Sequence, residues 1–219
     1  MCVRRLLLSL SAAALGMLLV GPPTSTAQEF RVDAGGGWAV PTNNVEAELP
    51  DQNVQPLPID LKPGPHVYAS VGFVRSIGEQ FALGARLRGQ AARLRSTVEA
   101  CDPDDVACTG DPDGLVQAAT IEGRVILTSP DWIHPYLLVG LGVVHSSVEA
   151  VTLESGTRTF PFPEVSVTDA GGDVGLGASF PLAAGLQADA EFRVTGALPG
   201  GKENAVTTLP FSLGLGYQF

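Results

Sequence analysis

Three groups of residues in this chain have the types and spacing that chemistry needs. The first is His145-Ser146-Ser147, with Glu149 just beyond. A serine hydroxyl becomes a nucleophile only with a base in hydrogen-bond reach and a third group to orient that base. On an extended strand residues two apart share a face, so His145, Ser147 and Glu149 would project to one side. The second group is acidic: Glu99, Asp102, Asp104, Asp105, Asp111 and Asp113 surround Cys101 and Cys108. Such oxygens suit Ca²⁺ or Mg²⁺, but the D-x-[DN]-x-[DN]-G loop with its distal Glu is missing. The spacing C-D-P-D-D-V-A-C also differs from zinc and redox motifs. We read this segment as a solvated acidic tip that resists aggregation, with no bound metal. The third group is a set of charges scattered among apolar and small residues: Arg31, Asp33, Arg86, Arg88, Glu122, Arg124, Asp173, Asp189, Glu191 and Arg193. His66 and His134, beside Pro65 and Pro135, have no partners at metal-ligand spacing, and no cofactor is expected.

The elements that hold these groups are constrained by composition. Of 219 residues, 45% are hydrophobic and 16% charged, which excludes a wholly disordered chain. A net charge of −10, only two lysines (Lys62 and Lys202) and no basic run remove the electrostatic footprint that nucleic-acid binding requires. Apolar residues are interleaved rather than clustered and there are 26 glycines, which favours β structure over a helical bundle.

At the N-terminus, Arg4 and Arg5 lead into an apolar stretch from Leu6 to Val20, a Gly-Pro-Pro break and the small residues Ser25-Thr26-Ala27. This reads as a cleavable signal peptide over residues 1–27, cut after Ala27. The apolar stretch is short for a membrane span, and it has no cysteine at its end for lipid attachment. Cys2 leaves with the leader, and loss of Arg4 and Arg5 takes the net charge from −10 to −12. In an exported chain the remaining Cys101 and Cys108 are expected to form a short-range disulfide.

Mean hydropathy is nevertheless positive, +0.21, which suits an acidic exported chain only if apolar side chains face lipid. Alternation supports that. Leu209, Phe211, Leu213, Leu215, Tyr217 and Phe219 share one parity, against Ser212, Gly214, Gly216 and Gln218 on the other. The same division separates Phe81, Leu83, Ala85 and Leu87 from Gly84, Arg86, Arg88 and Gln90. It recurs with Leu186, Ala188, Ala190, Phe192 and Val194 against Gln187, Asp189, Glu191, Arg193 and Thr195. Extended to the whole chain, the pattern predicts eight strands near residues 29–40, 65–75, 80–95, 115–128, 133–148, 165–180, 185–196 and 205–219. Each reaches the roughly 9–11 residues of a tilted membrane strand. Val165 and Val167 are out of phase with Val174, Leu176 and Phe180, so a bulge is expected near Ala170-Gly171-Gly172.

Long connections (41–64, 96–114, 149–164 and 197–204) alternate with tight ones near Ser76–Glu79, Ser129–Trp132 and Pro181–Ala184. The first three long connections carry −3, −6 and −2, which concentrates negative charge at one end. The fold class is therefore all-β: an eight-stranded antiparallel transmembrane up-and-down β-barrel over residues 28–219. Backbone polar groups in lipid must be paired internally, so the sheet has to close. With the oily parity outward, the ten charges of the third group fall inside, five of each sign. Arg86 and Arg88 should face Glu122 and Arg124, and Asp189, Glu191 and Arg193 should meet Asp173. Such a balanced set serves as an ionic plug, since eight-stranded barrels have interiors just wide enough for side chains to fill. Trp38, Trp132, Tyr136, Phe180, Phe211, Tyr217 and Phe219 are expected in aromatic girdles at the water boundaries.

Together these residues resemble the small outer-membrane β-barrel superfamily that includes the OmpA transmembrane domain, OmpX and OmpW. The glycine-rich pieces Gly140-Leu141-Gly142 and Gly175-Leu176-Gly177 are common in such barrels, and Tyr217-Gln218-Phe219 is similar to their aromatic-ended last strand. The resemblance implies location in the bacterial outer membrane, contact with its lipid and lipopolysaccharide, and recognition of Tyr217 and Phe219 by the barrel assembly machinery. It implies a non-enzymatic structural or surface-interaction role. Two alternatives are a narrow pore or OmpW-like transporter of small hydrophobic molecules, and an enzyme similar to lipid A 3-O-deacylases. Those deacylases carry a His-x-Ser pair on the lipid-facing wall with a supporting Glu. His145 and Ser147 have that spacing, although they lie further upstream than in that family.

Overall fold

The computed structural model describes residues 28–47, 57–97, 112–155, 158–201 and 205–219. In chain order its strands are β1 (Gln28–Pro41), β2 (Val45–Ala47), β3 (Leu57–Lys62), β4 (Gly64–Ile77), β5 (Phe81–Thr97) and β6 (Asp113–Leu127). They continue with β7 (His134–Val148), β8 (Val151–Ser155), β9 (Arg158–Phe162), β10 (Val165–Ala183), β11 (Leu186–Ala197) and β12 (Thr208–Gln218). The eight long strands are those marked by alternation in the sequence. Each pairs antiparallel with the long strand before and after it, and β12 returns to β1 from Arg31↔Gln218 to Pro41↔Thr208. The ring is closed, so no long strand leaves an open edge to lipid.

Small strands extend the long-connection end. β3 continues the course of β4 past Pro63, pairing with β5 at Asp60↔Thr97 through Lys62↔Arg95, and β2 folds back on β3. β8 and β9 form a separate hairpin. At the opposite end the turns are tight. β10 runs on to Ala183, which leaves Ala184 and Gly185, at φ 49° and 81°, as a two-residue reversal into β11. Gly185 is needed twice over: its φ is left-handed, and a Cβ there would lie 2.5 Å from the Gln218 carbonyl oxygen.

Exposure follows parity. Ile121, Leu137 and Leu213 stand outward at 62%, 65% and 58% exposure, while Thr120, Leu138 and Ser212 beside them in sequence are buried. An apolar wall of this extent is compatible with lipid and not with water.

Two expectations are corrected. The pairing of β10 with β7 is continuous from Val165↔Val148 to Ser179↔His134, so there is no bulge at Ala170–Gly172. Irregularity occurs instead between Pro181 and Ala183, against β11. Val165 and Val167 keep the inward parity of Asp173 because the long-connection end of the lumen is apolar, and Val165 packs against the cluster there. Tyr136 is also not in a girdle. It points inward at 4% exposure and joins Val74, Ala82, Ile126 and Leu138 in an apolar cluster near the tight-turn end. Trp38, Trp132, Phe211, Tyr217 and Phe219 are exposed on the outer surface.

Candidate functional site

The inward parity of every long strand converges on the lumen. β1 contributes Arg31 and Asp33, β5 Arg86 and Arg88, β6 Glu122 and Arg124, β10 Asp173, and β11 Asp189, Glu191 and Arg193. All ten are between 0% and 5% exposed. Strand pairing sets some partners directly. Arg86 lies opposite Glu122, and its Nε donates to Glu122 Oε2 at 2.5 Å. Its Nη2 crosses the lumen to Glu191 Oε2 at 2.6 Å.

Glu191 is the hub of this belt. It also accepts from Arg193 and from the Tyr136 hydroxyl, at 3.0 Å for the latter, and lies 2.9 Å from Arg88 Nη1. Arg193 Nη1 reaches Glu122 at 2.9 Å and Asp173 at 3.0 Å, and the single Thr120 hydroxyl lies between those carboxylates, 3.1 Å from an oxygen of each. A second knot sits nearer the tight-turn end, where Arg31 donates to Asp33, to Gln187 Oε1 at 2.6 Å and to Asp189 at 2.5 Å. Gly140 makes room for the belt: a Cβ there would lie 2.3 Å from Asp173 Oδ1 and 2.8 Å from Glu122 Cγ. Register qualifies two expected pairings. Arg88 lies opposite Thr120 and reaches Glu122 only diagonally, Nε to Oε1 at 3.9 Å, while Arg124 lies opposite Gly84 and meets no carboxylate among the described residues.

Above the belt, Arg88 stacks on the Tyr68 ring at 3.6 Å. His66 is 2% exposed, with Nδ1 3.2 Å from Ser212 Oγ and Nε2 3.4 Å from Gln90 Oε1. A cavity of about 10 Å³ lies between His66, Gln90, Thr195 and Thr208, room for a single water. Beyond it Ala39, Val45, Ile59, Leu61, Leu94, Val116, Val144, Val148 and Val206 form a buried apolar seal.

Gln187 and Thr195 are lumenal as their parity with Asp189 and Arg193 implies, whereas His66, Tyr68, Ser70, Thr120 and Ser179 are lumenal residues that the charge pattern missed. The signal that finds them is parity: each lies an even number of positions from a lumenal residue on its strand, as Thr120 does from Glu122, or an odd number from an exposed run, as Ser70 does from Val67, Ala69 and Val71.

On the outer wall, His145 Nδ1 lies 2.8 Å from Thr168 Oγ1 of β10, its direct cross-strand partner. Among the described residues no hydrogen bond joins His145 to Ser147. Cys101, Cys108, Ala27 and the acidic residues from Glu99 to Asp111 lie outside the described residues.

A closed antiparallel ring of eight strands, lipid-compatible outside and filled by internally compensated charge, defines a small membrane-spanning barrel of the bacterial outer membrane. Residues 10–219 match the family model of the outer membrane protein beta-barrel domain, and the chain belongs to that family. No curated protein sequence matches it. Among solved structures, the outer membrane protein OprG from Pseudomonas aeruginosa is 13% identical, with 89% of this chain and 97% of that one covered and a TM-score of 0.55. A major outer membrane protein from Thermus thermophilus is 15% identical over 88% of this chain and 100% of that one, with a TM-score of 0.51. The attachment invasion locus protein Ail of Yersinia pestis is 17% identical over 88% and 99%, with a TM-score of 0.45.

Proposed function

We propose that this protein is a closed, non-enzymatic barrel with a structural or surface-interaction role in the outer membrane. The observation that carries the reading is the lumen itself: a belt of ion pairs that joins nine of the ten lumenal charges, none of the ten more than 5% exposed, lies beneath an apolar seal. A conducting path would have to separate pairs whose remaining partners would then be buried uncompensated. Planar-bilayer recording of the detergent-refolded protein is expected to be silent, and discrete conductance steps would overturn the plug in favour of a pore.

The deacylase reading receives no support from His145, whose Nδ1 lies 2.8 Å from Thr168 Oγ1 and which makes no hydrogen bond to Ser147 among the described residues. His145→Ala is expected to leave the lipid A mass spectrum of producing cells unchanged. Export by cleavage after Ala27, a Cys101–Cys108 disulfide within an acidic solvated loop, and Tyr217 and Phe219 as the assembly signal complete the proposal. Surroundings of outer-membrane lipid and lipopolysaccharide follow from the location.

A further inference from the structure

Among the described residues, four of the five lumenal guanidiniums have carboxylate partners and the fifth, Arg124, has none. Nε, Nη1 and Nη2 of Arg124 are all buried without an acceptor, and the residue is 2% exposed. Its ladder partners supply no polar side chain, since β5 presents Gly84 and β7 presents Leu138. Tyr136 lies 5.5 Å away, ring centre to guanidinium carbon, but its hydroxyl donates to Glu191. The carboxylates on that side are already engaged, Asp33 by Arg31 and Ser70, and Glu122 by Arg86, Arg193 and Thr120. A guanidinium cannot shed its charge at any ordinary pH and presents five N–H donors. Enclosed at low dielectric, those donors need an acceptor, and a charged one compensates more than a neutral one.

We propose that Arg124 is the centre of a lumenal anion site that holds one small monovalent inorganic anion of the halide class. Charge sets the valence: the ten lumenal side chains already balance, so the ion that meets the donors of Arg124 at the smallest cost is monovalent, and a polyvalent oxyanion would add more charge than one guanidinium can offset. The walls set the type. Leu138, Ile126 and the Tyr136 ring are apolar surfaces against which a weakly hydrated ion is cheaper to desolvate than fluoride or sulfate. The bare Gly84 position opposite leaves no side chain to compete for the donors, since a Cβ there would already lie 3.4 Å from Arg124 Nε. The anion completes the filling of the lumen and is independent of whether the lumen conducts.

The test uses the full barrel refolded in detergent with sodium bromide. Diffraction at the bromine edge is expected to give an anomalous peak in hydrogen-bond contact with the Arg124 guanidinium. Peaks at the surface alone, an adventitious ion only, would overturn the site, as would a water at Arg124 with no anomalous signal. In parallel, the unfolding midpoint is followed as bromide replaces fluoride at constant ionic strength. It should rise by a few degrees in the wild type and stay flat in Arg124→Met. A flat wild-type curve, or equal slopes in both proteins, would overturn the proposal. If Arg124→Met does not refold, the bromide diffraction of the wild type decides alone.

Discussion

The lumen is closed twice, by different physics. The ionic belt is made wholly from residues on the eight long strands, and its charges are shared, so that Glu191 alone serves Arg86, Arg88, Arg193 and Tyr136. The apolar seal draws Val45, Ile59, Leu61 and Val206 from connecting segments and packs them on strand residues such as Leu94, Val144 and Val148. The belt therefore has geometry imposed by a rigid wall, and its cost is desolvation offset by pairing. The seal has no directional bonds, only removal of apolar area from water. The two cooperate, because a seal that excludes water lowers the local dielectric in which the belt's hydrogen bonds act.

The contrast predicts graded outcomes, each read as the urea midpoint of detergent-refolded barrel and by heat-modifiable gel mobility. The largest effect is expected in the belt: Glu191→Ala removes the carboxylate that three buried guanidiniums share, leaving Arg88 with Glu122 alone at 3.9 Å, and should destabilise by about 3–5 kcal/mol. In the seal, Leu94→Ala deletes a side chain that is 0% exposed and should cost about 3 kcal/mol through lost burial and a residual cavity. If Leu94→Ala proved as damaging as Glu191→Ala, the belt would not dominate stability. On the outer wall, Ile121→Lys places an ammonium in lipid near mid-strand and should cost about 2 kcal/mol; a neutral result would remove the bilayer from the assignment of that face. The smallest effect belongs to the exposed pair Arg93–Asp113, whose side chains are 68% and 38% exposed. Arg93→Ala should leave the midpoint unchanged at moderate salt, since screened surface pairs contribute little. A measurable loss there would break the distinction between enclosed and open ion pairs.

How much of this was legible in sequence depends on residue type. The ten charged side chains could be assigned inward because lipid excludes charge, so their parity has one acceptable direction. Val143 and Val144 show the limit: they are adjacent and chemically identical, yet Val143 is 53% exposed on the wall and Val144 is 2% exposed in the seal. The position of Tyr136 near a strand end suggests a girdle, but its parity matches Leu138 and its hydroxyl serves Glu191. Val165 and Val167 suggested a bulge only under the assumption that every valine faces lipid. Once the lumen is known to be apolar at one end, β10 needs no bulge there.

The sequence by itself determined the eight strands, their closure into a membrane barrel and which charges face inward, because pleat periodicity is local and lipid tolerates no unpaired charge. Only the tertiary structure decided which arginine finds which carboxylate, that Arg124 finds none, and where the lumen turns from ionic to apolar. Those outcomes depend on the register of strands far apart in the chain, and on lumen and lipid accepting the same apolar side chains.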